Sequence, residues 1–291
     1  MLTRTEQGKI QELKREFEEL KPGKESLLAI IDEAELPEAV FNSNAIENST
    51  LTLKETEQIL LKHEVARNVS VRELYEAQNL ADVTEYIRKR TSVPLNEELT
   101  LRLHQMLLGN IDSSIAGRFR RKGEFVRVGS YIAPAPEHVE SMFGAVLLDY
   151  TSETQRYFLE RISLFHLEFE NIHPFNDGNG RIGRVLINLQ LLQNGLPPLI
   201  IRNKNKERHY YPAFDEYRRT KKTRPLDRLL WLALMESLHK RIAYLRGQRI
   251  VTVSERAKAT KRSVQALLNA ARRQSIPAFR EKGVWKIGVA R

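Results

Sequence analysis

The chain has 291 residues, of which 41% are hydrophobic and 29% are charged, a composition that fits a globular protein and excludes a disordered or collagen-like chain. It contains no cysteine, which excludes disulfides and thiolate zinc sites and suits a reducing cytoplasm. Residues 1–20 are charged throughout and no stretch reaches the roughly 20 apolar residues of a bilayer span, so we expect a cytoplasmic protein with no signal peptide and no membrane helix.

The first part of the chain is predicted to be almost entirely helical. Apolar residues recur at helical spacing over about residues 6–20, 26–35, 53–66, 71–89 and 97–108. Thr52 is the predicted N-cap of the third helix, with Glu55 as its capping-box partner. Residues 42–52, which precede it, are rich in Asn, Ser and Thr. We assign residues 1–110 to an N-terminal helical region.

A short β-hairpin is predicted within residues 117–136, where glycines and prolines punctuate a stretch of high strand propensity around Val126 and Val128. We call this hairpin the flap. Helices are predicted again over about residues 137–150, 153–170, 181–193, 206–219 and 226–245, with a loop at 171–180. Residues 111–246 are assigned to the main core.

The last 43 residues hold almost all of the net charge of +10. Residues 249–291 contain 11 Lys and Arg against Glu255 and Glu281, a balance of 11 − 2 = +9. Ser254 is the expected cap of a helix to Ala259, a second helix covers residues 261–273, and two strands flank Lys282 and Gly283. This order predicts a basic winged helix-turn-helix at 247–291 that binds DNA. The helix at 261–273 would meet the major groove, with the hairpin around Glu281–Val284 as the wing. The alternative is a helical subdomain with a solvated basic face.

The segment HPFNDGNGRIGR at residues 173–184 combines several groups that phosphate chemistry needs. Its glycines precede a helix, where backbone N–H groups and the helix dipole favour an anion. Its arginines suit phosphate oxygens. Asp177 is a hard oxygen ligand for Mg²⁺, and His173 can take a proton near neutral pH. Together these residues indicate displacement at a phosphate.

This segment resembles the motif HxFx(D/E)GNGRxxR of the Fic family and matches it at every specified position from His173 to Arg184. Residues 165–172, FHLEFENI, resemble the helix that leads into it, and a weaker resemblance extends over about residues 38–220. The resemblance implies a mainly α, Fic-type helical bundle with a β-hairpin flap. It also implies a protein adenylyltransferase, which moves AMP from ATP to a hydroxyl of a target protein.

The resemblance also implies roles for single residues. His173 would deprotonate the target hydroxyl, and Phe175 would bury its ring and anchor the loop. Asp177 would hold Mg²⁺ against the α- and β-phosphates. The phosphate cradle would consist of Asn179, the backbone around Gly178 and Gly180, Arg181 on the β-phosphate and Arg184 on the γ-phosphate.

Two further segments take part in this interpretation. The flap, with Val126, Val128 and Tyr131, would hold a target segment in extended form by strand addition. Tyr210 and Tyr211 lie where the family places a tyrosine that contacts adenosine, and the sequence does not separate the two. The target would offer a Ser, Thr or Tyr hydroxyl, and the chain itself is one candidate target. A homodimer is kept open.

Residues 43–48, SNAIEN, match the family's inhibitory pattern (S/T)xxxE(G/N), upstream of the catalytic motif. In this interpretation Ser43 and Glu47 belong to an inhibitory helix. Arg184 would have no partner in the absence of nucleotide, and a buried unpaired guanidinium is costly. We therefore expect Glu47 to pair with Arg184 in a bidentate manner and to exclude the γ-phosphate. The alternative is an exposed salt bridge worth roughly 0–1 kcal/mol.

Three other functions remain open at this stage. The same fold could remove AMP from a modified protein, with Glu47 positioning water. A transcriptional regulator could use the core to sense nucleotide and the basic region to bind DNA, although an intact His173 and Asp177 argue against a purely sensory core. A scaffold with a decayed site is disfavoured because no motif position is lost.

Overall fold

The computed structural model describes residues 1–65 and 68–290, together with all of their side chains except that of Asn205. Ala66, where the third helix is predicted to end, and Arg291 lie outside the described residues. The fold is mainly helical, as predicted. The α-helices of the described residues are α1 (Arg4–Leu20), α2 (Glu25–Ile46), α3 (Leu53–Glu57), α4 (Val71–Arg88), α5 (Glu97–Leu108), α6 (Val139–Ser152), α7 (Phe158–Ile172), α8 (Asn179–Gln193), α9 (Tyr211–Thr220), α10 (Arg224–Leu245), α11 (Val253–Ala259) and α12 (Val264–Arg272).

The strands form two small antiparallel sheets. β1 (Arg127–Val128) pairs with β2 (Tyr131–Ile132), which confirms the flap hairpin. β3 (Arg249–Thr252), β4 (Ala278–Glu281) and β5 (Val284–Val289) form a sheet in the order β3-β5-β4. Short 3-10 turns lie at Pro136–His138 and Asn203–Asn205, and π-helical turns lie at Gln58–Lys62 and Lys206–Tyr210. Among the described residues, no helix has both the length and the apolar character of a bilayer span.

The end of α2 is the largest departure from the prediction. The predicted helix ended at Glu35, but α2 continues through Pro37 to Ile46. The polar residues of this segment favour loops in isolation, and here Asn42 and Ser43 have partners from distant segments instead. Asn42 donates to the carbonyl of Glu38 at 2.8 Å and accepts from the N–H of Asn203 at 3.1 Å. Tertiary contacts therefore keep the segment helical against its local propensity.

Helix starts and lengths elsewhere follow the local signals more closely. The capping box of Thr52 and Glu55 is present at α3, as predicted. In the C-terminal region the prediction of Ser254 as a cap is wrong, because Thr252 caps α11 with Glu255 as its capping-box partner. Ser263 caps α12, which is shorter than the predicted helix.

Two apolar clusters make up the core and meet at α7 and α8. One cluster joins these helices to α1, α9 and α10, and the other joins them to α4, α5 and α6. Helix α8 is buried on nearly all sides, which is typical of a helix at the centre of a protein. The loop between α7 and α8 therefore begins and ends on two helices that both clusters share.

The C-terminal region consists of the β3-β5-β4 sheet with α11 and α12, packed on a small core of its own. The predicted strands around Lys282 and Gly283 are β4 and β5, whereas β3 was not predicted. The turn between β4 and β5 contacts the rest of the protein. The backbone N–H groups of Lys282 and Gly283 donate to the buried Glu38 carboxylate at 3.0 and 3.1 Å, and Lys282 Nζ pairs with Glu57 at 2.9 Å. The winged-helix assignment stays a prediction, and the turn predicted to be its wing is held against α2 and α3.

Candidate functional site

The loop between α7 and α8 is fixed by its own side chains. His173 ends α7 in the left-handed conformation (φ 51°), and Gly178 precedes α8 at φ 81°. Phe175 is fully buried. The Asn179 side chain accepts from the N–H of Phe175 at 2.8 Å and donates to its carbonyl at 2.7 Å. In this structure the side-chain amide of Asn179 therefore holds the loop. Its role in cradling phosphate stays a prediction.

Arg120 supports the same loop from the side of the flap. Its side chain is 3% exposed. It donates to the carbonyls of Ile172 (3.2 Å), His173 (2.8 Å), Glu124 (3.0 Å) and Pro134 (2.9 Å). Burial lowers the pKa of Arg120, against the effect of Glu124. Sequence reasoning missed this residue, because an arginine whose partners are backbone carbonyls leaves no local pattern.

His104 packs against the buried Phe175 of the same loop. Its ring stacks on Phe175 with a centroid distance of 3.7 Å and an interplanar angle of 8°. Nδ1 accepts from the N–H of Gly117 at 3.0 Å, so Nε2 donates to the carbonyl of Asp177 at 3.0 Å. Burial lowers the pKa of His104 to about 4, in spite of this bond to Asp177. The ring is therefore neutral near pH 7, and its role is structural.

His173 lies at the open end of the loop, next to a buried carboxylate. Nδ1 of His173 is 3.5 Å from Oε2 of Glu170, one turn earlier on α7. Burial alone would raise the pKa of Glu170, but His173 and His166 outweigh it and the pKa is lowered. A charged Glu170 favours a proton on Nδ1, which leaves Nε2 free to accept one. The spacing of three residues before His173 was a signal that sequence reasoning did not use.

Asp177 lies in a network of alternating charges. Arg72 of α4 bridges its carboxylate and Glu76, and Arg181 contacts Asp177 at 3.1 Å and Glu76 at 3.2 Å. Burial would raise the pKa of Asp177, but Arg181, the Gly178 N–H and Arg72 outweigh it. Asp177 is therefore a charged carboxylate with two guanidinium partners, one of which, Arg72, was not predicted.

Arg184 contacts the segment that was predicted to be inhibitory. Its side chain is 7% exposed. Nε donates to Ser43 Oγ at 3.0 Å, and Nη2 donates to the Ser43 carbonyl at 2.9 Å and to Glu47 Oε1 at 2.8 Å. The expected bidentate pair is wrong in detail, because Glu47 makes a single contact, Ser43 accepts from Nε and Nη2, and the Tyr210 hydroxyl accepts from Nη1 at 3.5 Å. Burial would lower the pKa of Arg184, but Glu47 and Tyr210 raise it.

The carboxylate of Glu47 also lies over the start of α8. A Cβ atom built on Gly180 would collide with Oε1 of Glu47. The glycine thus allows a carboxylate to approach the helix N-terminus, where the dipole favours an anion. Asn48, which follows, has φ 68°. This left-handed position favours Gly or Asn, which gives a physical reason for the last position of the pattern.

The two tyrosines lie in different environments. Tyr210 is buried, its hydroxyl is 2.8 Å from His166 Nε2, and burial raises its pKa. Burial lowers the pKa of His166 to about 4. Tyr211 is partly buried and donates to the carbonyl of Ile46, the last residue of α2, at 2.6 Å. Burial and then Glu47 raise the pKa of Tyr211 to about 12. Only Tyr211 has a partly open ring, so it is the better candidate for an adenosine contact.

The flap lies beside His173. Val126 closes the hairpin by accepting from the N–H of Ala133 at 3.0 Å, and Val128 pairs with Tyr131. The Tyr131 hydroxyl donates to the carbonyl of Asn171 at 3.1 Å, which ties the flap to the end of α7. Ile132 is 65% exposed. The flap therefore offers a short strand with exposed apolar side chains close to the proposed base.

Residues 94–191 match the model of the Fic/DOC family. The chain is 33% identical over 178 residues to protein adenylyltransferase Fic of Nematostella vectensis, which covers 59% of this chain and 41% of the relative. It is 30% identical over 178 residues to protein adenylyltransferase fic-1 of Caenorhabditis elegans, covering 59% of this chain and 34% of the relative. The chain thus spans about a third to two fifths of the length of these curated relatives.

Solved structures share the fold. A fragment of Fic-1 from C. elegans superposes with a TM-score of 0.72 at 26% identity and covers 82% of this chain and 71% of the fragment. A Fic-domain signaling protein from Bacteroides thetaiotaomicron gives 0.75 at 24% identity, covering 82% of this chain and 97% of the other. A Fic family protein from Desulfovibrio desulfuricans gives 0.68 at 22% identity and covers 100% of this chain and 98% of the other. The last likeness extends the shared fold through the C-terminal region.

Proposed function

We propose, from the match of residues 94–191 to the model of the Fic/DOC family, that the chain is a protein adenylyltransferase of this family. It would transfer AMP from ATP to a Ser, Thr or Tyr hydroxyl of a target protein. The observation that carries the proposal is the geometry of one loop. His173, Asp177 and the N-terminus of α8 lie within a short turn that Asn179, His104 and Arg120 hold rigid. The names of the curated relatives support the same reaction.

In the proposed reaction the target hydroxyl oxygen forms a bond to the α-phosphorus of ATP. The bond from this phosphorus to the bridging oxygen of pyrophosphate breaks, and pyrophosphate leaves. His173 takes the hydroxyl proton at Nε2, and Glu170 keeps the imidazole in the required tautomer from 3.5 Å. General-base catalysis of this kind contributes typically about 10²–10⁴-fold.

The phosphates would bind at the start of α8. The backbone around Gly178 and Gly180 supplies N–H donors at a helix N-terminus, and Arg181 and Arg184 supply guanidinium groups. Asp177 fits a magnesium ion, because one carboxylate plus phosphate oxygens is a donor set that Mg²⁺ uses. The described residues contain no cluster of three acidic or histidine side chains that could hold an ion alone. Mg²⁺ would neutralise phosphate charge.

We further propose that Ser43 and Glu47 inhibit the enzyme. Glu47 contacts Arg184 and lies over Gly180, at the anion site where a phosphate would bind. A γ-phosphate and this carboxylate cannot share the position, so ATP would bind in a displaced pose. In-line displacement is sensitive to such errors, because a misplacement of about 1 Å can cost about 10²-fold.

The test is the mass of the protein after incubation with ATP and Mg²⁺. Glu47→Gly should gain the mass of one or more AMP groups on itself or on an added protein, and wild type should gain little. The double variant Glu47→Gly/His173→Ala should lose the gain while still binding ATP. Undiminished transfer in the double variant would reject the role of His173, and no transfer in any variant would reject the enzyme.

The flap is the proposed target-binding element. A target segment in extended form would add to its short strand and contact Val126, Val128 and Tyr131 next to His173. The chain itself remains one candidate target, and a homodimer remains a proposal for its assembly.

A second candidate function is DNA binding through residues 249–291. Residues 253–273, which contain α11, α12 and the loop between them, expose six cations and one acid, Glu255. Because the β4–β5 turn contacts Glu38 and Glu57, contact with DNA would fall on α12 and the end of α11. The exposed cations are Arg256, Lys258, Lys261, Arg262, Arg272 and Arg273.

Charge reversal tests this candidate. Arg272→Glu/Arg273→Glu should weaken duplex DNA binding and reduce the salt dependence, because each phosphate contact contributes about −0.9 to the slope of log K against log salt. Lys21→Glu, which reverses the charge of an exposed residue directly after α1, is the control. Equal affinity and slope for the two variants would exclude this DNA interface.

A further inference from the structure

The C-terminal end of α2 is held by side chains from a distant segment. The last turn of α2 contains no basic residue of its own. Lys206 supplies the cation, and its Nζ donates to the carbonyls of Ala45 and Ile46, both at 2.9 Å, and to Asn48 Oδ1 at 2.7 Å. The last four carbonyls of a helix have no partner within it, and Lys206 donates to two of these four, which the Asn48 N–H and the Tyr211 hydroxyl also contact.

The position of Glu47 depends on this turn. Glu47 is the C-cap residue of α2, and the backbone leaves the helix at Asn48. A cation at a helix C-terminus opposes the dipole and satisfies open carbonyls. If the last turn unwinds, the Glu47 carboxylate moves off Arg184, because only the single Nη2···Oε1 contact of 2.8 Å holds the pair.

We propose that Lys206 is the positioning residue that holds Glu47 in its inhibitory place and so sets the resting activity. The inference rests on the proposed adenylyltransferase function and adds its regulation. Lys206 opens the π-helical turn Lys206–Tyr210, which leads directly into Tyr211, and such turns are frequent at functional sites. A ligand that shifts this turn would move the Lys206 ammonium and the Tyr211 hydroxyl together, and both contact the end of α2.

Lys206 could instead contact ATP directly, and this role makes the opposite prediction. A lysine that serves the nucleotide would be needed in the uninhibited enzyme. A lysine that serves only Glu47 would be dispensable once the carboxylate is gone. The two roles therefore separate in the Glu47→Gly background.

The experiment compares Lys206→Met in two backgrounds by the rate of AMP incorporation. In the wild-type background we expect a rise of about tenfold, which corresponds to about 1.4 kcal/mol. In the Glu47→Gly background the rate should stay within about twofold. Lys204→Met, the exposed neighbour, is the matched control and should match wild type. An unchanged rate in wild type, or a loss of rate in the Glu47→Gly background, overturns the proposal.

A second measurement keeps the inference testable apart from the reaction. The N–H groups of Asn48 and Ser49 donate to the carbonyls of Ala45 and Asn44 at 3.3 and 3.1 Å. Their hydrogen exchange should be at least about tenfold faster in Lys206→Met than in Lys204→Met. Equal exchange overturns the proposal. If Glu47→Gly transfers no AMP, the adenylyltransferase assignment fails, and the exchange result still decides whether Lys206 holds the turn.

Discussion

Removal of the Glu47 carboxylate should leave a distinct thermodynamic signature. The side chain of Arg184 is 7% exposed and that of Glu47 is 40% exposed. Breaking a fully buried ion pair costs about 3–5 kcal/mol. Here Arg184 keeps its two bonds to Ser43 and water reaches the vacated side, so we expect a loss of about 1–3 kcal/mol. For a protein of this size that is roughly 2–12 °C in the midpoint of thermal unfolding.

ATP should reverse this loss. In Glu47→Gly the Arg184 guanidinium and the N-terminus of α8 are open to phosphate, and a ligand at 100 times its Kd adds about 2.7 kcal/mol to stability. We therefore expect Glu47→Gly to melt below wild type without nucleotide and to gain more than wild type from saturating ATP and Mg²⁺. Wild type should gain less, because the carboxylate must first be displaced.

The assay is thermal unfolding with and without ATP. Glu47→Gln is the matched control for glycine, because it keeps the side-chain volume and helix propensity and removes only the charge. It should show the same enhanced response to ATP. If Glu47→Gly and wild type melt at the same temperature without ATP and shift equally with it, Glu47 does not compete with phosphate and the reasoning fails.

The remaining predictions concern the support of the loop and the effect of pH. Arg120→Met should lower the free energy of unfolding by about 2–4 kcal/mol, measured by urea denaturation, because four carbonyls, one of them fully buried, lose a charged donor; a loss below about 0.5 kcal/mol would contradict this role. In the Glu47→Gly background, Asn179→Ala should lower the transfer rate about 10²-fold because the loop is misplaced, and it should also lower the unfolding midpoint because the buried N–H and carbonyl of Phe175 lose their partner; an unchanged rate would mean that the amide does not order the loop. Burial lowers the pKa of His104, His166 and His239 from 6.5 to about 4, so the unfolded chain binds protons that the folded protein does not. Stability should therefore fall as pH falls from about 6.5 towards 4, and a urea midpoint that is constant between pH 7 and 5 would refute this.

The sequence predicts much of the fold where local signals and tertiary packing agree. Helix α5 has the predicted bounds Glu97–Leu108, and the Thr52 capping box lies where its pattern indicated. Local signals did not predict the end of α2, where only the resemblance implied a helix, because partners such as Asn203 and Arg184 lie more than a hundred residues away and outweigh the local preference for a loop. Strand β3 was missed because its residues do not alternate clearly and its pairing depends on β5.

The candidate site shows the same difference between residues that local sequence reveals and residues that depend on distant partners. His173 and Asp177 stand out in the sequence because they lie in one contiguous motif. Arg120, Arg72 and Lys206 do not, since each is one basic residue among many and belongs to no motif, and what distinguishes them is the set of oxygens that the fold brings to them. Residues within one loop could be found from the sequence, and of the contacts between separate helices only that of Glu47 with Arg184 was expected, through the resemblance.

The docking of the β4–β5 turn on Glu38 sets how the candidate site is oriented relative to the C-terminal region. Two backbone donors and Lys282 tie that turn to α2 and α3, so the C-terminal region is attached to the core through it. Anything that binds α12 would hold the mouth of the α7–α8 loop at a set angle and distance from itself. Only targets on one side of the molecule bound to α12 would then reach the loop. The docked β4–β5 turn would in this way select targets by their location.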